Sequence, residues 1–121
     1  MKTAVIILFH GSRADGSTET ARTIAEFVRK RGGYDTVTTA FLQNVRPGLS
    51  DAIRDSAAHN IEKIVVVPFF LQLGMHVTKD IPALVSEARR RHPGVQIELT
   101  RAVGAHPQMA DIVLDLIEHG Q

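Results

Sequence analysis

Two short, wholly apolar runs, Ala4 to Phe9 and Ile64 to Phe69, constrain what this chain can fold into more than any other feature. Each has the length of a strand, falls far short of a membrane span, and is rich in β-branched residues. Strands without polar alternation belong to parallel sheets, where helices cover both faces. The second run is the most hydrophobic in the chain, so it is expected to lie centrally and to be buried on both faces.

Segments with a helical apolar period separate the strands. The first strand, Thr3 to Phe9, is followed by a helix from near Ser17 that carries Ala21, Ile24, Ala25 and Val28 on one face. Ser17 and Thr18 are placed to cap its free amides, and Gly32-Gly33 stops it. A second strand, Asp35 to Leu42, contains three threonines and suits a position near the sheet edge. Pro47 or Gly48 opens a helix with Leu49, Ala52, Ile53 and Ala57 that ends at Asn60. After the third strand, a helix starting near Val77-Thr78 presents Ile81, Leu84, Val85 and Ala88, with Pro82 acceptable only in its first turn. A fourth strand, Val95 to Leu99, precedes a last helix from Pro107 through Met109, Ile112, Val113, Leu116 and Ile117.

Four βα units with short links predict one α/β domain over residues 1–121, a three-layer αβα arrangement around a four-stranded parallel sheet. The expected strand order is 2-1-3-4. In that order the first and third strands are neighbours whose connections leave to opposite faces. Ligands bind open α/β sheets at such a switch point, beyond the carboxyl ends of the strands.

Composition narrows the function classes. A chain of 121 residues buries one core. A formal charge of +1, without a basic block carrying interleaved aromatics, makes no case for nucleic acid. The absence of cysteine removes disulfides, zinc–thiolate sites and thiol nucleophiles together, and is compatible with a reducing compartment. The apolar start runs into His10-Gly11-Ser12-Arg13 instead of a small-residue cleavage site, so it is taken as a strand of a cytoplasmic protein. No apolar segment approaches the roughly 20 residues that cross a bilayer, and no membrane association is expected.

The polar residues of interest gather at the predicted strand ends. His10 directly follows the first run, and Gly11 permits a sharp exit that a side chain would obstruct. Ser12 and Arg13 then face the same crevice. His76 comes after Phe70-Leu71-Gln72-Leu73-Gly74-Met75, a connection too apolar for an ordinary solvated loop. Its hydrophobic side chains are core, a subunit interface or a ligand wall, and interface or wall is the favoured pair. Gln43 and His106 fall on adjoining strand ends, where capping competes with ligation for His106. His59, His92 and His119 lie near helix C-termini, where an imidazolium suits the helix dipole. Arg13, Arg46, Lys79 and Arg101 are individually surface charges, but as a group they suit a polycarboxylate. Asp15 and Asp80 fit helix starts better than catalysis. Glycine-rich phosphate loops are absent. A histidine–glycine pair after a first strand also occurs in phosphohistidine phosphatases, but those carry arginine where this chain has Phe9.

With these residues in view, the chain resembles the small single-domain class II chelatases, the sirohydrochlorin cobaltochelatase (CbiX) family, almost end to end. The resemblance rests on Phe9-His10-Gly11-Ser12-Arg13, on Phe41-Leu42-Gln43 with Pro47, and on Ile64 through Leu71. It continues through Gly74-Met75-His76-Val77, Asp80-Ile81-Pro82 and Gly104-Ala105-His106-Pro107, with the stretch from Pro68 to Pro82 the most specific. It implies a lyase of cobalamin- or sirohaem-type tetrapyrrole biosynthesis that inserts a divalent metal into sirohydrochlorin. The metal is a substrate, cobalt first and nickel or iron(II) after it, and no organic cofactor is expected. His10 and His76 become the metal-binding and proton-accepting pair. Ser12, Arg13, Gln43, Arg46, Phe70, Leu71, Leu73, Gly74 and Met75 become contacts to the macrocycle. The resemblance also implies a homodimer with two copies of the strand ends around a central cleft.

One departure qualifies it. The family usually carries a glutamate where this chain has Gln43, and often an acid where it has Arg46. A glutamine amide offers a carbonyl oxygen to a metal but accepts no proton at neutral pH. A non-catalytic tetrapyrrole- or metal-binding protein on the same scaffold is therefore the alternative.

Overall fold

The structure is a computed structural model, and it describes residues 1–11, 17–72 and 74–120, excluding the side chains of Ser17, Thr18 and His76. The elements run β1 (Thr3–Phe9), α1 (Ser17–Gly32), β2 (Thr36–Phe41), α2 (Leu49–Ala57), β3 (Lys63–Pro68), α3 (Met75–Arg91), β4 (Gln96–Leu99), a 3-10 turn (Val103–Ala105) and α4 (Gln108–His119). The strands form one parallel sheet in the order β2-β1-β3-β4, as the βα pattern predicts.

Strand alternation divides the interior into two layers. Ala4, Ile6 and Leu8 of β1 face α2 and α3, together with Ile64 and Val66 of β3, Ile53 of α2 and Val85 of α3. Val5, Ile7 and Phe9 face the opposite way, onto Ala21 and Ala25 of α1 and Val37 and Phe41 of β2. β1 therefore leads into a helix on one face, and β3 into a helix on the other. The switch point falls between their carboxyl ends.

The helices α1 and α3 are tied to the sheet edges in the same way. Arg29 Nη2 donates to the carbonyl of Val37 at 2.7 Å, and Arg89 donates through Nε and Nη2 to that of Ile97 at 3.0 and 2.8 Å. Each arginine sits in the last turn of its helix and reaches the edge strand that follows. Edge strands leave carbonyls without a ladder partner, and a guanidinium supplies the donor.

Three expectations are corrected. α3 begins at Met75, not near Val77, so Pro82 stands inside the helix and not in its first turn. Its missing N–H leaves the Thr78 carbonyl without the usual intrahelical donor. β3 is central, but Lys63, Val65 and Val67 remain half-exposed while Ile64, Val66 and Pro68 are buried, so one of its faces is open. The last helix does not close that face. α4 buries no residue, and its Ile112, Val113, Leu114, Leu116 and Ile117 are 49–69% exposed.

Candidate functional site at the strand ends

The geometry at the end of β1 depends on one glycine. Gly11 has φ +94°, in the left-handed region, and a Cβ there would lie 1.8 Å from the Gln43 carbonyl oxygen. Only a residue without a side chain lets the segment after β2 approach this closely. The approach is fixed by hydrogen bonds. Leu42 N–H donates to Phe9 O at 3.0 Å, Gln43 N–H to His10 O at 3.2 Å, and Asn44 Nδ2 to Gly11 O at 3.2 Å. Gln43 is thereby held beside His10 by backbone, independently of its own side chain.

The matching join lies across the sheet. A Cβ on Gly104 would stand 1.9 Å from the Leu71 carbonyl oxygen, and Gly104 N–H donates to Phe70 O at 2.8 Å. The segment after β4 is thus sewn to the apolar connection after β3. Two close backbone approaches gather residues distant in sequence onto one edge of the sheet.

His10 is exposed at that edge, its ring edge-on to Phe70 with centroids 6.2 Å apart and an interplanar angle of 84°. His10 Nε2 lies 3.1 Å from Gln43 Nε2. The Gln43 amide carries both a donor and an acceptor, so it can bond to this ring nitrogen in either tautomer of the imidazole. A neutral imidazole is the form that ligates a metal or takes up a proton.

Beside this pair a cavity of about 480 Å³ is lined by His10, Leu42 and Gln43 from the sheet and by Val77, Asp80, Leu84 and Glu87 from α3. These four α3 residues recur at helical spacing, so their common face was readable from the sequence. Asp80, expected to serve a helix start, instead borders the same cavity as His10. Glu87 is held ionised at the far rim: hydrogen bonding from Arg90, then its charge, and then Arg91 keep its carboxyl below the ordinary value of 4.5.

The other expected residues are distributed unevenly. His76 occupies the first turn of α3, next to Val77 and one turn before Asp80, and its side chain lies outside the described residues. Ser12, Arg13 and Leu73 also lie outside them. Phe70 is buried and belongs to the core as well as to the surroundings of His10, whereas Leu71 and Met75 are 65% and 80% exposed. Gly74 caps α3 in extended conformation. Arg46 and Lys79 are exposed and line neither this cavity nor a second one of about 410 Å³ at the ends of β3 and β4. That second cavity is bordered by Arg101 and His106, so among the described residues Arg46, Lys79 and Arg101 do not gather at one of these two cavities. His106 lies just before Pro107, the N-cap of α4, and its Nδ1 accepts from Gln108 N–H at 3.1 Å. Among the described residues no three His, Asp or Glu side chains converge as a closed metal site. No described helix is long and apolar enough to cross a membrane.

The comparisons with known proteins point one way. The family model CbiX matches residues 4–119. The chain is similar to a sirohydrochlorin cobaltochelatase of Methanopyrus kandleri, with 30% identity over 95% of this chain and 94% of the relative. It is similar to a chloroplastic sirohydrochlorin ferrochelatase of Arabidopsis thaliana, with 31% identity over 95% of this chain but only 51% of the relative. Among solved structures it is similar to a protein described as a cobalamin (vitamin B12) biosynthesis CbiX protein from Marinobacter aquaeolei. There the TM-score is 0.82 at 27% identity, covering 98% of this chain and 96% of that one.

Proposed function

Because the chain belongs to the CbiX family, we propose that it is a lyase that inserts a divalent metal ion into sirohydrochlorin. Cobalt is the first candidate metal, with nickel and iron(II) next. The observation that carries this reading is the exposed His10 at the carboxyl end of β1, facing a cavity with Gln43 and Asp80.

Metallation has two requirements. The metal must be held loosely enough to be handed over, and the two pyrrole N–H protons must go to an acceptor as the four ring nitrogens take the metal. Imidazole ligands suit cobalt, nickel and iron(II), whereas a closed set of four protein ligands would trap the ion. His10 Nε2 becomes free for a metal when the Gln43 amide turns away or flips, and the flip brings Gln43 Oε1 towards the same ion. His76, on the first turn of α3, is the second imidazole of this reading. Gln43 takes up no proton, so the carboxylate missing from its position is supplied by Asp80 from α3. The exposed Leu71 and Met75, with Ser12, Arg13, Arg46, Leu73 and Gly74, are proposed to contact the macrocycle and its carboxylates. A tetrapyrrole exceeds the cavity beside His10, and the reading includes a homodimer that enlarges it.

The test is anaerobic insertion into sirohydrochlorin with Co²⁺, Ni²⁺ and Fe²⁺ in turn, followed by absorbance. His10→Ala is expected to lower the rate by about 100-fold or more, the usual scale for a lost proton-transfer group, and Asp80→Asn by a smaller factor. Gln43→Glu should raise it. Spectral changes of binding with no turnover for any metal would instead establish the non-catalytic binding protein.

A further inference from the structure

Among the described residues two that are not glycine take a positive φ, Asn44 at 64° and Asn60 at 59°. Left-handed backbone is costly for a residue with a side chain, and asparagine tolerates it better than most. Asn60 has a folding reason: it lies in the turn directly after α2, and left-handed residues are common where helices end. Asn44 ends no helix. It is exposed, in the loop between β2 and α2, and no core packing calls for its conformation. Val45 N–H donates to Gln43 O at 2.7 Å, so Asn44 is the centre of a three-residue turn. With φ positive, that is the rarer and strained form of the γ-turn. The loop is closed beneath it by Phe41 N–H donating to Pro47 O at 2.9 Å. Strained backbone persists where its surroundings impose it, and it gathers at functional sites.

The strained turn stands at the His10–Gln43 pair. Gln43 immediately precedes the turn centre, with its carbonyl against Gly11 and its side-chain amide 3.1 Å from His10 Nε2. Asn44 then reaches back, donating from Nδ2 to Gly11 O at 3.2 Å. Backbone bonds from Leu42 and Gln43 bring the two segments together but stop at His10. The glycine that follows has wide conformational freedom of its own, and the Asn44 amide fastens its carbonyl. On the other side the imidazole meets Phe70, whose carbonyl is held by Gly104 N–H. One side of His10 is therefore set by Phe70, and the other by a residue that holds both the turn and the exit from β1.

We propose that Asn44 is a positioning residue for metal insertion. Its turn aims the Gln43 amide at His10, and its own amide locks the Gly11 carbonyl against that turn. Asparagine meets both demands. Glycine takes the backbone conformation without the bond. Aspartate takes the conformation, but its ionised carboxylate has no donor for Gly11 O, and alanine supplies neither. The inference rests on the proposed metal insertion and adds to it the residue that keeps the imidazole and the amide at a spacing where one ion meets both.

The test compares Asn44→Gly, Asn44→Asp and Asn44→Ala, with Asn60→Gly as the control for losing an asparagine from left-handed backbone. In anaerobic metal insertion Asn44→Gly is expected to lower kcat about 10-fold, on the scale of a small misplacement at a reacting centre. The KM for sirohydrochlorin and the midpoint of urea unfolding should stay where they are. Asn44→Asp should lose at least as much, since a carboxylate then faces a carbonyl, and Asn44→Ala should lose stability as well. Asn60→Gly should keep the unmodified kcat. Full kcat in Asn44→Gly would overturn the inference, because the turn would then suffice without the bond. So would a raised KM at constant kcat, which would make Asn44 a substrate contact. A second readout needs no turnover. In nuclear Overhauser spectra of the metal-free chain, the Gln43 side-chain amide protons should contact the His10 ring protons, and Asn44→Gly should lose that contact. Its persistence in the variant would overturn the positioning role. If the unmodified chain inserts no metal, the proposed function fails, while this contact still decides what Asn44 does.

Discussion

β1 and β3 lie side by side, paired from Thr3 with Lys63 to Leu8 with Pro68, and both consist mainly of branched aliphatic residues. Every residue of β1 after Thr3 is buried, whereas β3 alternates between buried and half-exposed. Their chemistry is nearly the same and only their covers differ. β1 has α1 over one face and α2 over the other; among the described residues α2 and α3 cover one face of β3, and on its other face Val67 alone packs against the cluster around α1. Strand hydrophobicity thus reports how many faces the sequence is prepared to bury, and not how many a single chain covers by itself.

The sharpest test of this contrast pairs equivalent truncations. Ile6→Ala removes a fully buried side chain of β1 and is expected to cost about 2–5 kcal/mol in urea unfolding. A loss under about 1 kcal/mol would mean that β1 is not the packed centre. Gly11→Ala comes next, because it introduces strain and a backbone clash at the end of the same strand. It should cost about 1–3 kcal/mol, the range for a side chain forced into left-handed backbone. It should also depress metallation more than Gly104→Ala, which disturbs the β3 side without touching the Gln43–His10 contact.

Val65→Ala is expected to be milder, below about 1.5 kcal/mol at concentrations where the chain is monomeric. A cost that grows with protein concentration would show the open face becoming covered by association. The smallest effect is assigned to Glu87 of α3, at the rim of the cavity beside His10. Its carboxyl is depressed by Arg90 and then Arg91, so the stabilisation is present above the ordinary value of 4.5 and is lost as pH falls through the lower folded value. Glu87→Gln should therefore lower the melting temperature slightly at neutral pH, and the difference should vanish in acid. A difference that widens in acid would contradict the sign.

Much of the fold was legible because periodicity and punctuation agreed. Thr3 to Phe9 and the strand order were both read correctly, since short βα links leave few topologies open. Position at the strand ends was legible too: His10, Gln43 and His106 were placed there by the runs that precede them. The wall formed by Val77, Asp80, Leu84 and Glu87 is not in the sequence reading, which takes Leu84 as core and Val77 and Asp80 as belonging to the helix start, and does not single out Glu87. Its spacing carried the signal.

By itself the sequence determined the parallel sheet, its order, the glycine at the exit from β1 and the amphipathic character of the last helix. All of these follow from local sterics and from apolar period. Only the tertiary structure decided which residues meet beside His10, where α3 begins, and that α4 stands away from the sheet. Those outcomes depend on how closely backbones separated in the chain approach one another. Gly11 against Gln43 and Gly104 against Leu71 set those approaches, and no local pattern encodes a distance between loops.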